Sequence, residues 1–426
     1  MKIIADFHLH SKFSRATSPS MDLDGLDKWA KIKGIKVLGT GDFTHPVWFK
    51  TLKEKLILSE PGLFRLKDKN IAENLPQGFS DNETRFILTS EISCIYSKNQ
   101  KVRKIHIIVF APSFEAAEKI NIQLGWIGNL KSDGRPILGL DAKELAKIVL
   151  DISKDCLVVP AHAWTPWFSV FGSKSGFDSI EECFEEYSKY IYAIETGLSS
   201  DPAMNWRLSQ LDKIALISNS DSHSPQKIGR EANVFDTDLN YNSIIEAIKQ
   251  KDPKKFLYTV EFFPEEGKYH FDGHRACGVK TSPKESKKYN NICPVCVKPL
   301  TIGVLNRVEE LADRPEGVKP ENAVPFKNLI SLDKIIADSL GVSLASKKVQ
   351  EEYKNLILKA GNEFEILLNS SYNALEEITF PEIAEGIIRV REGKVYIDPG
   401  YDGVYGKISI FSKSEQKEII KQKTLF

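Results

Sequence analysis

The sequence predicts an α/β protein in which residues 1–262 form a β/α barrel, followed by a small cysteine-bearing module and a mainly helical C-terminal domain. Seven short β-branched runs alternate with amphipathic helical segments, which favours parallel strands joined by crossover helices. Polar side chains close most of these runs at their C-terminal ends, where a β/α barrel builds its site. An open doubly wound sheet shares this pattern, but side chains drawn from the first strand through the seventh converge more readily in a closed barrel.

The elements of the barrel region follow one another in regular order. The predicted strands cover residues 2–7, 35–41, 85–93, 103–110, 156–161, 190–196 and 214–219. The predicted helices lie between them, at 23–33, 114–124, 142–152 and 180–188. Each helix has the apolar spacing of an element that packs one face on a sheet.

Two further regions follow the barrel. A turn at 264–267 ends it, and residues 264–307 carry eight Lys or Arg against four Asp or Glu. We therefore expect a small module over 263–318 and a separate C-terminal domain over 319–426. The C-terminal domain is predicted to contain helices at 332–339, 347–360, 363–369 and 380–392, followed by a strand-like pair at 394–397 and 406–411.

Composition bounds the possible partners. Lys and Arg number 58 and so do Asp and Glu, so a nucleic acid would have to be met by a local patch. The N-terminal residues lack the apolar core of a cleavable signal, and no run approaches the ~18–20 apolar residues of a membrane span. Cys94, Cys156 and Cys183 are isolated in apolar surroundings, as reduced core cysteines are. We expect a cytoplasmic protein with no membrane partner and, because it lacks a Gly-x-x-x-x-Gly-Lys-Ser/Thr loop, no use of ATP.

Six of the eight histidines lie at or near the strand runs, together with three acidic residues. These candidate metal ligands are His8, His10, Asp42, His45, Glu91, His106, His162, Asp221 and His223. Imidazole with carboxylate is the ligand set that Zn, Mn or Fe uses in hydrolysis. Two or three close ions can activate water for attack on phosphorus and neutralise the charge that develops. Glu91 is the expected bridging ligand, whereas a lone histidine such as His45 often only packs or caps.

A second cluster predicts a structural zinc site. His274-x-x-Cys277 and Cys293-x-x-Cys296 are separated by fifteen residues, a spacing close to that of zinc knuckles and ribbons. A closed tetrahedral site would hold together a segment too small to build its own core. His270 is the alternative to His274 as the fourth ligand. The lysines between the two pairs suggest contact with phosphates.

The barrel motifs resemble those of the PHP (polymerase and histidinol phosphatase) phosphoesterases. The likeness rests on His8-Leu9-His10, the turn at 39–42, Glu91, His106, Ala161-His162 and the stretch 220–223. It implies a distorted barrel of seven β/α units that holds two or three divalent metals, from among Zn, Mn, Mg and Fe. It further implies one metal on His8, His10, Glu91 and Asp221, a second on Glu91, His106 and His162, and a third on His223 with Asp42 or His45. Asp221, Glu91 and His223 are then the expected catalytic residues.

The sequence departs from this family at the third metal. Members commonly place an acidic ligand a few residues after the first motif, where this chain has Arg15. The Asp-His pair that usually ends the second strand is opened here to Asp42-Phe43-Thr44-His45. Arg15 is instead a candidate for binding a substrate phosphate, which guanidinium geometry suits.

The order of motifs along the whole chain resembles the endonuclease Q group of DNA repair nucleases. Phosphoesterase motifs come first, then the two zinc-ligand pairs, then a helical tail, with further likeness at 161–168, 273–277, 306–314 and 400–406. The resemblance implies hydrolysis of the phosphodiester 5′ of a deaminated base (hypoxanthine, uracil or xanthine) or of an abasic site. The implied partners are double- and single-stranded DNA that contain damaged bases.

Three aromatic residues are candidates for contact with a base. Trp164 and Trp167 follow a candidate ligand, where core packing and stacking on a nucleobase are both open. Tyr401 lies in a glycine-rich turn that could line a base pocket. Residues 422–426 resemble the beginning of a sliding-clamp binding motif.

Two other functions remain open at this point. A small-molecule phosphatase of the histidinol phosphatase type would share the barrel but would not need a basic zinc module. A non-catalytic DNA-binding scaffold would fit the presence of Arg15 but not the nearly complete ligand set.

Overall fold

The structure, a computed structural model, describes residues 1–68, 83–412 and 414–416. Its strands are β1 (Lys2–Asp6), β2 (Val37–Gly39), β3 (Leu56–Glu60), β4 (Leu63–Leu66), β5 (Arg85–Lys98), β6 (Lys101–Ala111), β7 (Ile137–Leu138), β8 (Leu157–Pro160), β9 (Ala193–Glu195), β10 (Ala215–Ile217), β11 (Ala232–Asp236), β12 (Phe256–Glu261), β13 (Asp272–His274), β14 (Val279–Thr281), β15 (Phe326–Asn328), β16 (Tyr396–Asp398) and β17 (Lys407–Ser409). Its α-helices are α1 (Leu23–Lys33), α2 (Pro46–Lys55), α3 (Phe114–Gly125), α4 (Ala142–Ile152), α5 (Ile180–Phe184), α6 (Pro202–Asn205), α7 (Tyr241–Gln250), α8 (Pro283–Lys288), α9 (Val304–Leu311), α10 (Leu332–Leu340), α11 (Lys347–Ala360), α12 (Glu363–Leu368), α13 (Tyr372–Glu376) and α14 (Pro381–Arg391).

The predicted α/β class is confirmed, and the wall of the barrel is irregular. Its main sheet runs β15-β12-β11-β1-β2-β5-β6-β8, with β1, β2 and β5 mutually parallel. The parallel pair β9–β10 continues the wall, because Ala163 N–H donates to the Glu195 carbonyl at 2.9 Å and Ser218 Oγ donates to the Val260 carbonyl at 2.7 Å. One buried apolar cluster draws side chains from β1, β2, β5, β6, β8, β9, β10 and β11. Strands that share one core in this way form a closed, distorted barrel.

The third and fourth predicted strands differ from expectation. We expected a crossover connection, but β5 and β6 are the two arms of a long antiparallel hairpin. Asn99 (φ 53°) and Gln100 (φ 59°) form its turn, and two consecutive positive φ values are the mark of a type I′ hairpin. A two-residue connection cannot make a parallel crossover, so the predicted parallel arrangement is wrong for this pair.

The regions after residue 262 return to the barrel. β15 pairs in parallel with β12, which extends the barrel sheet past the expected boundary at 318. The helices α10, α11, α12 and α14 agree with those predicted from apolar spacing, whereas the short α13 was not predicted. β16 pairs with β17 as the expected strand-like pair. Lys33 of α1 and Glu363 of α12 form a buried ion pair (Nζ–Oε2 2.6 Å) that joins the barrel to the helical region.

Two further expectations from the sequence concern membrane spans and the C-terminal clamp-like stretch. Across the described residues, no helix combines the length and apolar character required to cross a bilayer. The stretch 422–426 that resembles a clamp-binding motif lies outside the described residues, so that interaction stays a prediction.

The contact of α1 with the helical region gives a testable prediction. Gly34 has φ 86°, and a Cβ there would overlap the side chain of Asn362, which caps α12 by accepting from Glu365 N–H. Gly34→Ala should lower the free energy of unfolding by about 2–4 kcal/mol, since it adds left-handed strain and displaces a helix cap. Gly317 has nearly the same φ (85°) and no atom within 4 Å of an added Cβ, so Gly317→Ala is the matched control.

Thermal and urea unfolding of both variants measure the difference. Equal destabilisation by the two substitutions would show that the approach of α1 to Asn362 contributes nothing beyond backbone strain.

Candidate active site and zinc module

The end of β1 places the first pair of ligands. His8 and His10 follow the strand directly, and both are buried. His10 N–H donates to the carbonyl of Ser222 at 3.0 Å, and Leu9 forms a bridge with the same residue. The loop that carries Asp221 is thereby fixed beside the His-x-His motif, although the two segments are far apart in sequence.

Four side chains converge to form the first ligand group: His8, His10, Glu91 and Asp221. His10 Nε2 lies 3.1 Å from Asp221 Oδ1 and 3.2 Å from Glu91 Oε2. His8 Nε2 lies 3.5 Å from the same Glu91 oxygen. Among the described residues, these two Nε2 atoms and Asp221 Oδ1 are buried without a hydrogen-bond partner. Buried nitrogen and oxygen atoms that face one another without hydrogen-bond partners are suited to bind a cation.

The β5–β6 hairpin builds the second group from Glu91, His106 and His162. His106 pairs with Ser93 in the register, so Glu91 is its diagonal neighbour on the same face of the ladder. Glu91 Oε1 lies 2.8 Å from His106 Nδ1 and 3.0 Å from His162 Nε2. The two imidazole nitrogens are themselves 3.2 Å apart. Glu91 thus contributes one oxygen to each group, the geometry required of a bridging carboxylate.

A further layer of carboxylates orients these imidazoles. His8 Nδ1 lies 3.0 Å from both oxygens of Glu195, and His10 Nδ1 lies 3.1 Å from Asp42 Oδ1. A carboxylate on the far nitrogen fixes the ring and its tautomer, which leaves the other nitrogen for a metal. Both histidines therefore have the support that metal-binding imidazoles usually have.

Charges in the group shift the pKa values strongly. Burial acts to lower the pKa of His8. The carboxylates Glu195, Glu91 and Asp221 outweigh it and raise this pKa well above its ordinary value. Burial likewise opposes the shift of Glu91, whose pKa is held well below its usual range by His106, Arg135 and His8. Burial lowers the pKa of His106 to about 4, against the attraction of Glu91. A surplus of carboxylate around the imidazoles is the electrostatic environment that divalent cations neutralise.

Three of the candidate ligands have a strained backbone. Asp42 (φ 50°), His162 (φ 31°) and Asp221 (φ 46°) all adopt the left-handed region that disfavours residues with a Cβ. Such strain persists only where the surrounding structure imposes it, and it clusters at functional sites. Each of these residues lies just after a strand, at the C-terminal end of the barrel strands where the candidate ligands meet.

The remaining predicted metal ligands do not gather into a third group within the described chain. His223 is nearby, with its ring 4.6 Å from that of His10 and its Nδ1 3.1 Å from the Asp221 carbonyl. Asp42 contacts His10 and accepts hydrogen bonds from the Ser11 and Ser14 hydroxyls, rather than joining a group with His223. His45 caps α2 and stacks on Phe13, with ring centroids 4.5 Å apart.

The predicted substrate contacts lie in different environments. Trp164 is buried, donates to Asn205 Oδ1 at 2.8 Å and packs on Phe171, so it is a core residue. Trp167 is 50% exposed. Arg15 is exposed too. Tyr401 forms a bridge with Phe271 beside the zinc module.

Sequence reasoning missed two residues of the site. Glu195 ends β9, and an acid at the C-terminal end of a predicted strand could have revealed it. Arg135 donates from Nη1 to Glu91 Oε2 at 2.9 Å, but it comes from a loop whose sequence gives no such indication.

The zinc ligands predicted from spacing lie together. One atom from each of His274, Cys277, Cys293 and Cys296 falls within 4.8 Å of the others. His270 is instead buried against Phe271 with ring centroids 5.5 Å apart. Two short turns, one after β13 and one at Cys293, supply the two pairs. The donor set and the close approach fit a structural zinc ion.

Comparison with known proteins places the chain among its relatives. Residues 331–394 match the family model of the MJ0043 C-terminal domain. The uncharacterized protein MJ0043 of Methanocaldococcus jannaschii is 34% identical over 307 residues, which are 68% of this chain and 38% of that protein. The uncharacterized protein YqxK of Bacillus subtilis is 27% identical over 428 residues, 96% of this chain and 99% of that protein.

Two solved structures cover the chain almost completely. The lesion-specific endonuclease PfuEndoQ from Pyrococcus furiosus has a TM-score of 0.84 and 30% identity, over 99% of this chain and 97% of that one. A complex of endonuclease Q with a 27-mer duplex that has an abasic lesion at the active site has a TM-score of 0.82 and 30% identity, over 99% and 98%.

The barrel and its candidate ligand groups define a metal-dependent hydrolase, as the resemblance to the PHP phosphoesterases implies. With its zinc-ligand cluster and helical C-terminal region, the chain belongs to the endonuclease Q family of DNA repair endonucleases.

Removing the carboxylate behind His8 should weaken metal binding in the barrel. Glu195→Gln leaves His8 without its anionic partner, and loss of such support typically reduces metal affinity about 10- to 100-fold. Competition with a chromophoric chelator measures this affinity. Glu231→Gln is the matched control, because burial and the neighbouring Glu261 raise the pKa of Glu231 well above its ordinary value, so an amide resembles its protonated form. Equal affinity in the two variants would contradict the assigned role of Glu195.

The zinc module should retain its ion when barrel metals are removed. A closed site with four protein ligands exchanges slowly, whereas sites with open positions lose metal to a chelator. After dialysis against EDTA, elemental analysis should find one zinc in the unaltered protein and none in Cys293→Ser. Retention of zinc by Cys293→Ser would exclude this cluster as the binding site.

Proposed function

We propose that this protein hydrolyses the phosphodiester on the 5′ side of a deaminated base (hypoxanthine, uracil or xanthine) or of an abasic site in DNA. One observation supports this most: two ligand groups that share Glu91 lie in a chain whose full length is similar to an endonuclease Q bound to an abasic duplex. The zinc-ligand module and the helical region, which a small-molecule phosphatase would not require, agree with a polymeric substrate.

The site residues would hold two divalent metals in the barrel. His8, His10, Glu91 and Asp221 would hold the first, and Glu91, His106 and His162 the second. The imidazole-rich donor set suits Zn, Fe or Mn better than Mg. When bound, the metals supply Lewis acidity that activates water and neutralises charge on the phosphate. One further zinc would be structural, on His274, Cys277, Cys293 and Cys296.

The protein's own groups then hold the reacting atoms in place. Water oxygen forms a bond to phosphorus and gives up a proton, the bond from phosphorus to the leaving oxygen breaks, and a proton returns from solvent to the leaving oxygen. Asp221 and Glu91 would hold His10 in place beside the phosphate, because an oxygen of each carboxylate lies within 3.2 Å of His10 Nε2. His223, whose side chain is 33% exposed beside Asp221, is placed to contact the phosphate from the open side.

Two surface features support a DNA substrate. Lys104 Nζ lies 5.0 Å from the ring centroid of the exposed Trp167, a combination that suits stacking on a base and contact with a phosphate. Four lysines of the zinc module, Lys280, Lys284, Lys287 and Lys288, are exposed and could contact the DNA backbone. The first three lie beside the carboxylates of Asp398, Glu316 and Glu309, which DNA phosphates would have to displace.

The protein should nick a duplex once, directly 5′ of a single deoxyinosine, deoxyuridine, deoxyxanthosine or abasic residue. The cut should require a divalent metal and no ATP, and binding should weaken as salt rises, because lysine–phosphate contacts release counterions. End-labelled duplexes that carry one defined lesion reveal the position of the cut by electrophoresis beside a size ladder.

Asp221→Asn, which removes the charge of a ligand, is the inactive control and should still bind DNA. Equal cutting of damaged and undamaged duplexes would refute lesion specificity. Hydrolysis of histidinol phosphate without any cut in DNA would favour the phosphatase.

A further inference from the structure

The space where a third barrel metal would bind on Asp42 is filled. Asp42 Oδ2 accepts from Ser11 N–H at 2.6 Å, Ser11 Oγ at 2.7 Å and Ser14 Oγ at 2.9 Å. Its other oxygen faces His10 Nδ1 at 3.1 Å. The backbone of Gly134 packs so closely that a Cβ there would overlap this carboxylate. Oδ2 of Asp42 is therefore fully occupied by donors, and Oδ1 is turned toward His10.

His45 does not replace Asp42. Its Nδ1 accepts from Trp48 N–H at 3.4 Å as the cap of α2, and its ring is stacked on Phe13. In the part of the chain that the structure describes, His223 is the one predicted third-site ligand that remains near the cluster. A single imidazole cannot hold a divalent ion firmly.

A guanidinium lies at this side of the cluster instead. Arg135 Nη1 donates to Glu91 Oε2 at 2.9 Å, the same oxygen that faces His8 and His10. Its side chain is 29% exposed, so part of the guanidinium faces solvent while part is held by Glu91. Nη1 is the one atom of this guanidinium with a hydrogen-bond partner among the described residues. The other N–H donors remain available for a ligand.

The loop that carries Arg135 is anchored on both sides of it. Gly134 N–H donates to the Phe13 carbonyl at 3.0 Å, and Thr44 Oγ1 donates to the Gly134 carbonyl at 3.3 Å. On the other side, Ser93 N–H donates to the Pro136 carbonyl at 3.0 Å. Phe13 and Thr44 belong to the two segments in which the sequence departs from the family pattern. The loop therefore fixes the guanidinium against the region that lacks third-metal ligands.

We propose that the barrel holds two metal ions and that Arg135 provides the third positive charge, binding a non-bridging oxygen of the scissile phosphate while it holds Glu91. This inference rests on the proposed function. Two divalent ions would balance the carboxylates of Glu91, Asp221, Asp42 and Glu195, which leaves the guanidinium to offset the charge of the phosphate. A guanidinium has the planar fork of donors that suits both a carboxylate and a phosphate.

Metal content tests the first half independently of activity. Elemental analysis of the full-length protein, loaded with Mn and Zn and then desalted, should find three metals per chain, two in the barrel and one in the zinc module. Arg135→Gln should contain the same number. A fourth metal in the unaltered protein, or loss of a barrel metal in Arg135→Gln, would overturn the proposal.

Single-turnover cleavage of an abasic duplex tests the second half. Arg135→Gln should cut on the order of 100-fold more slowly with little change in DNA affinity, as when one preorganised donor to a developing charge is removed. Arg135→Lys should recover part of the rate and serves as the second variant if the glutamine variant does not fold. Lys119→Gln removes one charge from an exposed side chain of α3, which precedes the loop, and should keep the full rate.

Phosphorothioate substitution distinguishes contact with the phosphate from a structural effect. Sulfur at the non-bridging oxygen that Arg135 binds should slow the unaltered protein, and this effect should shrink in Arg135→Gln. Thio effects that are identical in the two proteins, or a rate for Arg135→Gln within about twofold of normal, would overturn the role of Arg135. Failure of the unaltered protein to cut any DNA would instead refute the proposed function, whereas the metal count would still decide the number of barrel metals.

Discussion

The site depends on one buried carboxylate that two groups of ligands share. Glu91 is wholly enclosed, and its two oxygens are in contact with His8, His10, His106, His162 and Arg135. Taking an ionised carboxylate out of water is expensive unless cations or strong donors surround it. The surrounding barrel must therefore deliver imidazoles from several strands to one point. The requirement explains why the hairpin β5–β6 interrupts the β/α alternation, since its register places His106 diagonally opposite Glu91.

A second layer of acids makes the arrangement rigid. Glu195 contacts His8 and also accepts from the backbone N–H of His162 at 2.7 Å, so it couples one member of each ligand group. Asp6 holds the loop that carries Asp221, because it accepts from Ser220 N–H at 3.0 Å and from Gly229 N–H at 2.9 Å. Such support lets strained residues keep geometries that they would not adopt alone, which is how preorganised sites are held.

Two arginines in the second half of the zinc module fix it to the barrel. Arg307 of α9 donates to the carbonyls of Phe171 and Phe177, in the loop that follows His162. Arg314 forms a bidentate pair with Asp212 (2.7 and 2.5 Å). These arginines lie in the stretch 306–314 that carried the likeness to endonuclease Q. Their contacts indicate that this stretch sets the position of the module relative to the barrel.

The sequence by itself determined the local features of this protein. Alternating apolar runs predict the strands and helices, because periodicity depends only on neighbouring residues. The spacing of His274, Cys277, Cys293 and Cys296 predicts a site that closes within a short segment. Tertiary structure decided what depends on the approach of distant segments. A two-residue turn changed a crossover into a hairpin, the loop at Gly134 enclosed Asp42, and β9 brought Glu195 behind His8. Arg135 lies beyond sequence reasoning for the same reason, since its partner Glu91 belongs to a different strand and only packing brings the two charges together.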